Sequence, residues 1–537
     1  MARIAVIARG GNSLAINLTD ALRRQRPGTQ FNLLFPGSYI SDPVDGAVYL
    51  PTSCDRNGML LDLAEAESLI RQSSQLEDKK LVVISSALIY GAGPSRQSLV
   101  GENYRAAADG SRGVADHWKS LENLVYKNFT GRVPLTILRP VTVVPSQALL
   151  SRRILRKFPL TLPGHNPLVQ LLSISDLAQA VLCVMEQDCV GTFNVAPDDV
   201  VPLRAIIRLA GGHRLPLLRS LQRMAAGKEA LEYLRYPWTV SNKKIKQCKF
   251  RPEKSSITAL RELHQQDDSS DFPEPIFDEF GMDRHTIDFY GKTIFKFFWK
   301  WYWRIETKGL EHLPQQGPAI LVGTHRGFVP FDAFMALHAV VQRTGRVPRF
   351  LTHPGLLKVP FIGDFMRKLG GVVACQESAD RVLQNGDMLG VFPEGIRGAF
   401  ARYRGAYELK SFGRDSFVKL ALRHHVPIIP FVTVGSAEVF PILAQIKSRR
   451  WRRYSDWPCI PVSTFPFLPV PLPTKWHMQF LPAIHLENYG PEAAQDRSIV
   501  EAVSLDVQNR MQQAVNEIVS KRRSVWFGSV FEQKSAE

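Results

Sequence analysis

Cysteine is scarce in this chain. Six occur in 537 residues, at positions 54, 183, 189, 248, 375 and 459. That number excludes a scaffold built from disulfides, and a reducing compartment is the default. No Cys-x-x-Cys pair exists, so no structural zinc or other metal is expected. Long apolar runs are missing too. No uninterrupted stretch of about 20 apolar residues is present, which leaves no clear membrane span. The start, Met1 to Ile16, reads as a strand and turn rather than a secretory signal. Pro458 to Thr474 is uncharged but holds six prolines and reads as an irregular loop. There is no internal repeat. What is in excess is positive charge: 67 Lys and Arg against 50 Asp and Glu, a net +17. Such an excess suits nucleic acid, an anionic membrane surface or acidic substrates. Hydrophobic content of 45% and charged content of 22% are ordinary for a globular protein. At roughly 150 residues per domain, the length predicts two to four domains, or two large ones.

Composition shifts near residue 250. Arg251 to Asp283 holds Asp-Asp-Ser-Ser-Asp and Pro-Glu-Pro and little periodicity. It reads as a linker with one short helix around Ile257 to His264. The domain expectation is therefore 1–250, a linker 251–285, and 286–530. Residues 1–285 hold 35 Lys and Arg against 29 Asp and Glu, and residues 286–537 hold 32 against 21. The excess is +6 on the first part and +11 on the second, so it is concentrated in the C-terminal half.

The N-terminal half alternates strand-like and helix-like segments. Ile4–Ala8, Phe31–Phe35, Leu81–Ser86 and Leu135–Arg139 are strand-like; Leu14–Arg24, Met59–Gln72 and Val114–Tyr126 are helix-like. Such βα alternation predicts a doubly wound parallel sheet with helices on both faces. After the first strand come Gly10 and Gly11, where a dinucleotide pyrophosphate would sit. They are adjacent, so the glycine spacing of a dinucleotide turn is not reproduced. No acid ends the second strand to meet a ribose hydroxyl.

The landmarks Ile84-Ser85-Ser86-Ala87-Leu88-Ile89-Tyr90-Gly91, Thr136-Ile137-Leu138-Arg139-Pro140, Ser173-Ile174-Ser175-Asp176-Leu177 and Gly191-Thr192-Phe193-Asn194-Val195 occur in order. Over residues 1–250 the chain resembles the extended short-chain dehydrogenase/reductase family, the epimerase and dehydratase group. The resemblance implies a Rossmann-like fold, an NAD(P) cofactor near Gly10, Gly11 and Ser86, and Ser86 in the place of the catalytic serine. The family's Tyr-x-x-x-Lys pair is absent. Its tyrosine position falls on Asp116 or His117 and its lysine position on Ser120 or Leu121. Without a phenol of lowered pKa, hydride chemistry lacks its acid and base. His117 stands open between a replacement and a surface histidine. A degenerate domain that regulates, docks or binds a metabolite is the leading reading of this half.

The C-terminal half begins TIDFYGKTIFKFFWKWYWRIE from Thr286. Lys292, Lys296, Lys300 and Arg304 recur every fourth residue and share one sector of a helix over 286–304. Nine aromatics fall within fifteen residues beside them. A helix lying in a membrane interface and a helix packed on its domain both fit. Next, a buried-strand run from Pro318 delivers His325, with Asp332 seven residues on. A histidine at a strand end beside a carboxylate can serve as a general base, its tautomer fixed by the acid. Further on stand Phe392-Pro393-Glu394-Gly395-Ile396-Arg397 and Val426-Pro427-Ile428-Ile429-Pro430.

The order of these blocks over residues 300–525 resembles the glycerolipid acyltransferase family, typified by 1-acyl-glycerol-3-phosphate acyltransferases. The resemblance implies an α/β domain that moves an acyl group from acyl-coenzyme A or acyl carrier protein to a lipid hydroxyl, with no cofactor for the transfer. It implies His325 and Asp332 as the catalytic pair and Glu394, Gly395 and Arg397 at the acceptor. Arg397 could serve a phosphate or the developing oxyanion; a surface arginine is the other reading. Two positions depart from the pattern. Pro330 holds the usual place of the aspartate, two residues before Asp332. Gln376 stands where an arginine for the acceptor's phosphate is expected, which opens a neutral acceptor such as diacylglycerol.

Arg402, Arg404, Lys410 and Arg414 form a candidate anion surface. Lys447 to Arg453, with Trp451 inside, and Lys521 to Phe527 repeat a basic-aromatic theme that favours an anionic leaflet. No nucleic-acid module accompanies it, so nucleic acid is not expected as a partner. The sequence thus predicts a cytoplasmic O-acyltransferase, peripheral on the inner face of a membrane. The alternatives are an NAD(P)-dependent epimerase or reductase with an acyltransferase-like anchor, and a non-catalytic sensor of lipids or metabolites.

Overall fold

The structure is a computed structural model. It describes residues 2–8, 12–35, 44–51, 79–93, 96, 98–104, 112–145, 160–187, 189–211, 215–216, 232–264, 277–412, 415–448, 457–464 and 470–531. Two compact units are present. Met1–Met282 with Pro360–Phe365 form the first, and Asp283–Val359 with Met366–Glu537 form the second. The first unit runs past residue 250. A helix over Ser256–His264 buries Ile257, Ala259 and Leu260 in its core, so these residues are packed structure rather than linker.

The first unit is built on a six-stranded parallel sheet. Its principal elements are β1 (Arg3–Ala8), α1 (Ser13–Gln25), β2 (Gln30–Leu34), β3 (Gly46–Leu50), β4 (Lys80–Ile84), α2 (Arg112–Phe129), β5 (Leu135–Pro140), α3 (Ile174–Glu186) and β6 (Gly191–Val195). The spatial order is β2-β1-β3-β4-β5-β6, with every pairing parallel. β1, β3 and β4 are apolar along nearly their whole length, as strands covered on both faces must be. The order reverses between β1 and β3, and such a switch point is where this Rossmann-like class takes ligands. Asn12 caps α1 by accepting from the backbone N–H groups of Leu14 and Ala15. Gly10 and Gly11 lie outside the described residues, as do Met59–Gln72.

The reducing-compartment default does not describe every cysteine. Cys189 and Cys248 form a disulfide, 59 residues apart in sequence. Cys183, Cys375 and Cys459 are not disulfide-bonded.

The second unit has a seven-stranded sheet. Its principal elements are α4 (Arg284–Tyr290), β7 (Glu306–Lys308), β8 (Ala319–Gly323), α5 (Phe331–Thr344), β9 (Arg349–Thr352), β10 (Val372–Val373), α6 (Gln376–Gln384), β11 (Met388–Val391), α7 (Gly395–Ala399), α8 (Ser416–His424), β12 (Ile428–Val434), β13 (His477–Phe480) and α9 (Arg497–Lys521). The order is β7-β13-β12-β8-β11-β9-β10, with β8 at the centre. β8 pairs in parallel with both β11 and β12, and only β12 and β13 pair antiparallel. Loops after β8 and β11 therefore emerge side by side at one end of the sheet.

α4 continues as a helix through π turns at Gly291–Phe295 and Phe298–Tyr302. The Trp303 N–H donates to the Phe298 carbonyl at 2.8 Å, an i→i+5 bond. Its inner side packs on α5: Phe295 stacks on Phe334 at 5.9 Å and Trp299 meets the His338 ring at 5.4 Å. Trp303, fully buried, stacks on Trp476 at 4.5 Å. The outer side leaves Phe289, Ile294, Phe297 and Trp301 exposed, with Lys292, Lys296 and Lys300 exposed beside them. The inner side is that of a helix packed on its domain, and the outer side leaves an aromatic and cationic surface exposed. No helix among the described residues is long and apolar enough to cross a membrane.

Candidate active site

His325 lies two residues beyond the end of β8, and a short loop returns the chain to α5. Pro330 stands at the N-cap of α5, which places Asp332 in the first helical turn. The start of α5 presents the carboxylate, and a carboxylate is favoured at a helix N-terminus. Asp332 is completely buried, and both its oxygens lie 2.9 Å from His325 Nδ1. Its oxygens also accept the backbone N–H groups of Arg326 at 2.8 Å and Ala333 at 2.9 Å. A carboxylate so held fixes the ring with its proton on Nδ1. Nε2 then carries the free lone pair, and no protein partner for it occurs among the described residues.

The floor under this histidine is aromatic. Phe392 lies 4.9 Å from the His325 ring and stacks on Phe350 at 5.5 Å. Gly323 and Gly390 make room for it. A Cβ at Gly323 would come 2.2 Å from Phe431, and one at Gly390 would come 2.3 Å from Phe350.

Gly395 follows Glu394 in the turn after β11. Its φ is +54°, a left-handed conformation that a side chain would strain. Open space surrounds the place a Cβ would take, so the backbone conformation rather than crowding calls for glycine here. Arg397 is exposed on α7, and Arg402, Arg404 and Lys410 are exposed beyond it. None of these four side chains has a protein partner among the described residues. Arg414 lies outside them. Gln376, at the first position of α6, is exposed.

Glu394 is placed differently from the acceptor-facing position expected of it. Its side chain is 2% exposed and is bonded to Arg326, which is 3% exposed. The contacts are 2.5 Å from Nη1 to Oε2 and 3.1 Å from Nη2 to Oε1. Arg326 is the residue that sequence reasoning missed. Its signal was available: a glutamate in an apolar turn needs a cation, and Arg326 adjoins the other motif.

Residues 304–434 match the family model described as Acyltransferase. A protein of Mycobacterium tuberculosis named only as uncharacterised is 34% identical over 260 residues, which is 47% of this chain and 72% of that protein. The chain belongs to the acyltransferase family. More distant relatives have descriptive names. One is the bovine "DGAT1/2-independent enzyme synthesizing storage lipids", 28% identical over 27% of this chain and 43% of that protein. Another is the chloroplastic phytyl ester synthase 2 of Arabidopsis thaliana, 28% identical over 27% and 21% respectively. The first half is similar to a human epimerase family protein solved with NADPH, at 14% identity, covering 49% of this chain and 99% of that one with a TM-score of 0.40. At that score the likeness carries no argument, and the Rossmann-like assignment rests on the strand order above.

In the first unit the residues at the positions of the resembled family's catalytic groups are engaged locally. Ser86 caps the turn Ala87–Tyr90 by accepting from the Leu88 N–H at 3.2 Å. His117 Nδ1 is 2.6 Å from the Gly113 carbonyl, Ser120 donates to the Asp116 carbonyl, and Leu121 is buried. Beside them a polar chain closes on itself. Ser85 donates to Glu122 at 2.6 Å, and Arg139 donates to both Glu122 oxygens at 2.9 and 2.6 Å. Arg139 also donates to the Tyr90 hydroxyl, which donates to Asn194, each at 2.7 Å. Burial pushes the Tyr90 phenol up to about 12, the opposite of what an acid-base tyrosine needs.

Proposed function

We propose that this acyltransferase moves an acyl group from a thioester of coenzyme A or acyl carrier protein to a lipid hydroxyl, with His325 as general base and Asp332 orienting it. The observation that carries the reading is His325 Nδ1 held between both Asp332 oxygens at 2.9 Å. Nε2 accepts the proton of the acceptor hydroxyl as its oxygen attacks the thioester carbonyl. The tetrahedral intermediate collapses with cleavage of the C–S bond, and the leaving thiolate takes that proton from the imidazolium. The acceptor leaves as an ester and the carrier as a free thiol. Asp332 stabilises the imidazolium while it exists. General-base assistance of this kind contributes on the order of 10²–10⁴ in rate. Arg397, exposed and without a partner among the described residues, offers positive charge to a phosphate of the donor or to the oxyanion.

A neutral acceptor is favoured. Gln376 offers no charge where a phosphate-bearing acceptor would meet an arginine in the family. The named relatives make storage lipids and phytyl esters. The surface on which the acceptor is met is an anionic leaflet. Phe289, Phe297 and Trp301 would enter the interface, while Lys292, Lys296 and Lys300 meet lipid phosphates. Each cation contributes about 1 kcal/mol near such a surface.

One experiment tests both parts. Transfer of radiolabelled palmitate from palmitoyl-coenzyme A is measured on diacylglycerol, a long-chain alcohol and lysophosphatidic acid. Each acceptor is presented in phosphatidylcholine vesicles with and without phosphatidylserine. The expected result is transfer to the neutral acceptors, faster on the anionic vesicles, and reduced by on the order of 10²–10⁴ in His325→Ala. Equal activity in His325→Ala would sink the mechanism. Exclusive use of lysophosphatidic acid would sink the neutral acceptor.

A further inference from the structure

We infer that Arg326 and Glu394 form a positioning clamp that sets where His325 Nε2 meets the substrate, and that neither side chain touches substrate itself. This rests on the reading of His325 as the general base. A guanidinium has five N–H donors, and all five of Arg326 are engaged. Nε donates to the Ala406 carbonyl. Nη1 donates to the His325 carbonyl at 2.9 Å and to Glu394 Oε2 at 2.5 Å. Nη2 donates to Glu394 Oε1 at 3.1 Å and, at longer range, to the Glu408 carbonyl at 3.4 Å. No donor remains for a substrate oxygen.

One residue thereby touches both members of the pair. The main chain of Arg326 donates to Asp332, and its side chain holds the carbonyl of His325. Glu394 supplies the other half. Its Oε1 also accepts the Lys410 N–H at 2.9 Å, so the clamp ties the loop after α7 to the turn after β11 and to the histidine. Space around it is full. A Cβ at Gly398 would lie 2.9 Å from Glu394 Cβ and 3.0 Å from both Arg326 Nη1 and the His325 carbonyl. A lysine could not substitute, because it has a point charge and three donors in place of a planar fork.

The test uses the full chain with palmitoyl-coenzyme A and diacylglycerol in phosphatidylserine-containing vesicles. The double variant Arg326→Met/Glu394→Leu removes both charges together and leaves no unpaired buried ion. Its unfolding midpoint is read by circular dichroism, and kcat and KM by initial rates. A folded double variant is expected to lose on the order of 10²-fold in kcat, the effect of a general base misplaced by about 1 Å. KM for both substrates should stay within about threefold of wild type, since no ground-state contact is removed. Wild-type kcat in the folded double variant overturns the clamp. So does a loss confined to the acceptor KM, which is what direct contact by Glu394 would give. Should the double variant not fold, Arg326→Lys is read instead: a loss in kcat alone supports the clamp, and wild-type kcat overturns it. His325→Ala run alongside separates the two claims. Full activity there removes the general-base reading, whereas an inactive His325→Ala beside an active double variant removes the clamp alone.

Discussion

Each sheet carries an arginine–glutamate pair shielded from solvent, with Arg139 part-buried and Arg326 fully buried, and the two pairs have opposite surroundings. In the first unit Arg139 and Glu122 join Ser85, Tyr90 and Asn194 in a chain where each polar group is used by the next. In the second unit Arg326 and Glu394 are equally saturated, but they sit behind a histidine whose Nε2 faces outward with no protein partner among the described residues. Satisfied polar groups stabilise and rigidify a fold but carry no chemistry themselves. Chemistry needs one group left with an unused lone pair, and a surrounding set rigid enough to hold it there. The contrast explains how one chain presents two ligand-type sheet ends with reactive geometry described at only one.

The comparison can be broken or sharpened by substitution. The largest effect is expected from Asp332→Asn. The amide cannot hold the His325 tautomer or its cation, and acyl transfer should fall on the order of 10³-fold with little change in KM. A drop below tenfold would mean that the pair does not act as base and orienter. Next is Arg139→Met in the first unit, which strands the Glu122 carboxylate in the interior. Equilibrium unfolding in urea should show a loss of about 3–5 kcal/mol, with transfer per folded molecule unchanged. A fall in transfer would show that the first unit contributes to catalysis after all.

The smallest effect concerns His338, six residues along α5 from Asp332. Burial lowers its pKa to about 4. In the unfolded chain a histidine titrates near 6.5, so between pH 6.5 and 4 the unfolded state binds the extra proton. The stability contributed by neutral His338 is full above about pH 6.5 and is lost as pH falls toward 4. His338→Phe, placed edge-on between Phe295 and Trp299, should match the wild-type melting temperature at pH 7.5 and exceed it by a few degrees at pH 5. Parallel melting curves at both pH values would count against it. His477, also held at about 4 chiefly by burial, will keep part of the acid sensitivity in the variant.

Much of the architecture was legible because it rests on local pattern. Four strands of the first sheet, helices α1 and α2 and β8 follow from apolar runs and their punctuation, whereas the pairing of His325 with Asp332 came from the resemblance to a known family. β3 escaped because Gly46–Leu50 is one short apolar run with no alternation and no helix signal beside it. The helix at Ser256–His264 was found, but its burial in the first core was not, since polar flanks disguise a packed face. The Arg326–Glu394 pair spans 68 residues and the Cys189–Cys248 bridge 59. Separations of that size are set by sheet order, which no local pattern reveals. The basic tail was read as a membrane-facing run, yet Arg522 is buried on Glu438 at 2.6 Å. A charge run shows which residues can pair, and tertiary packing decides which of them do.

The π turns of the helix at 284–302 bear on the shape of its outer surface. On a pure α-helix, four residues advance about 40° beyond a full turn, so a period-four row winds around the axis. A π turn closes one residue later, so four residues fall short of a full turn there. The two drifts have opposite sign, so the π turns at Gly291–Phe295 and Phe298–Tyr302 counter the winding of the row Lys292, Lys296 and Lys300, with Phe289, Phe297 and Trp301 exposed beside it. A winding row can touch a plane only at points. A row that winds less meets it over more of its length.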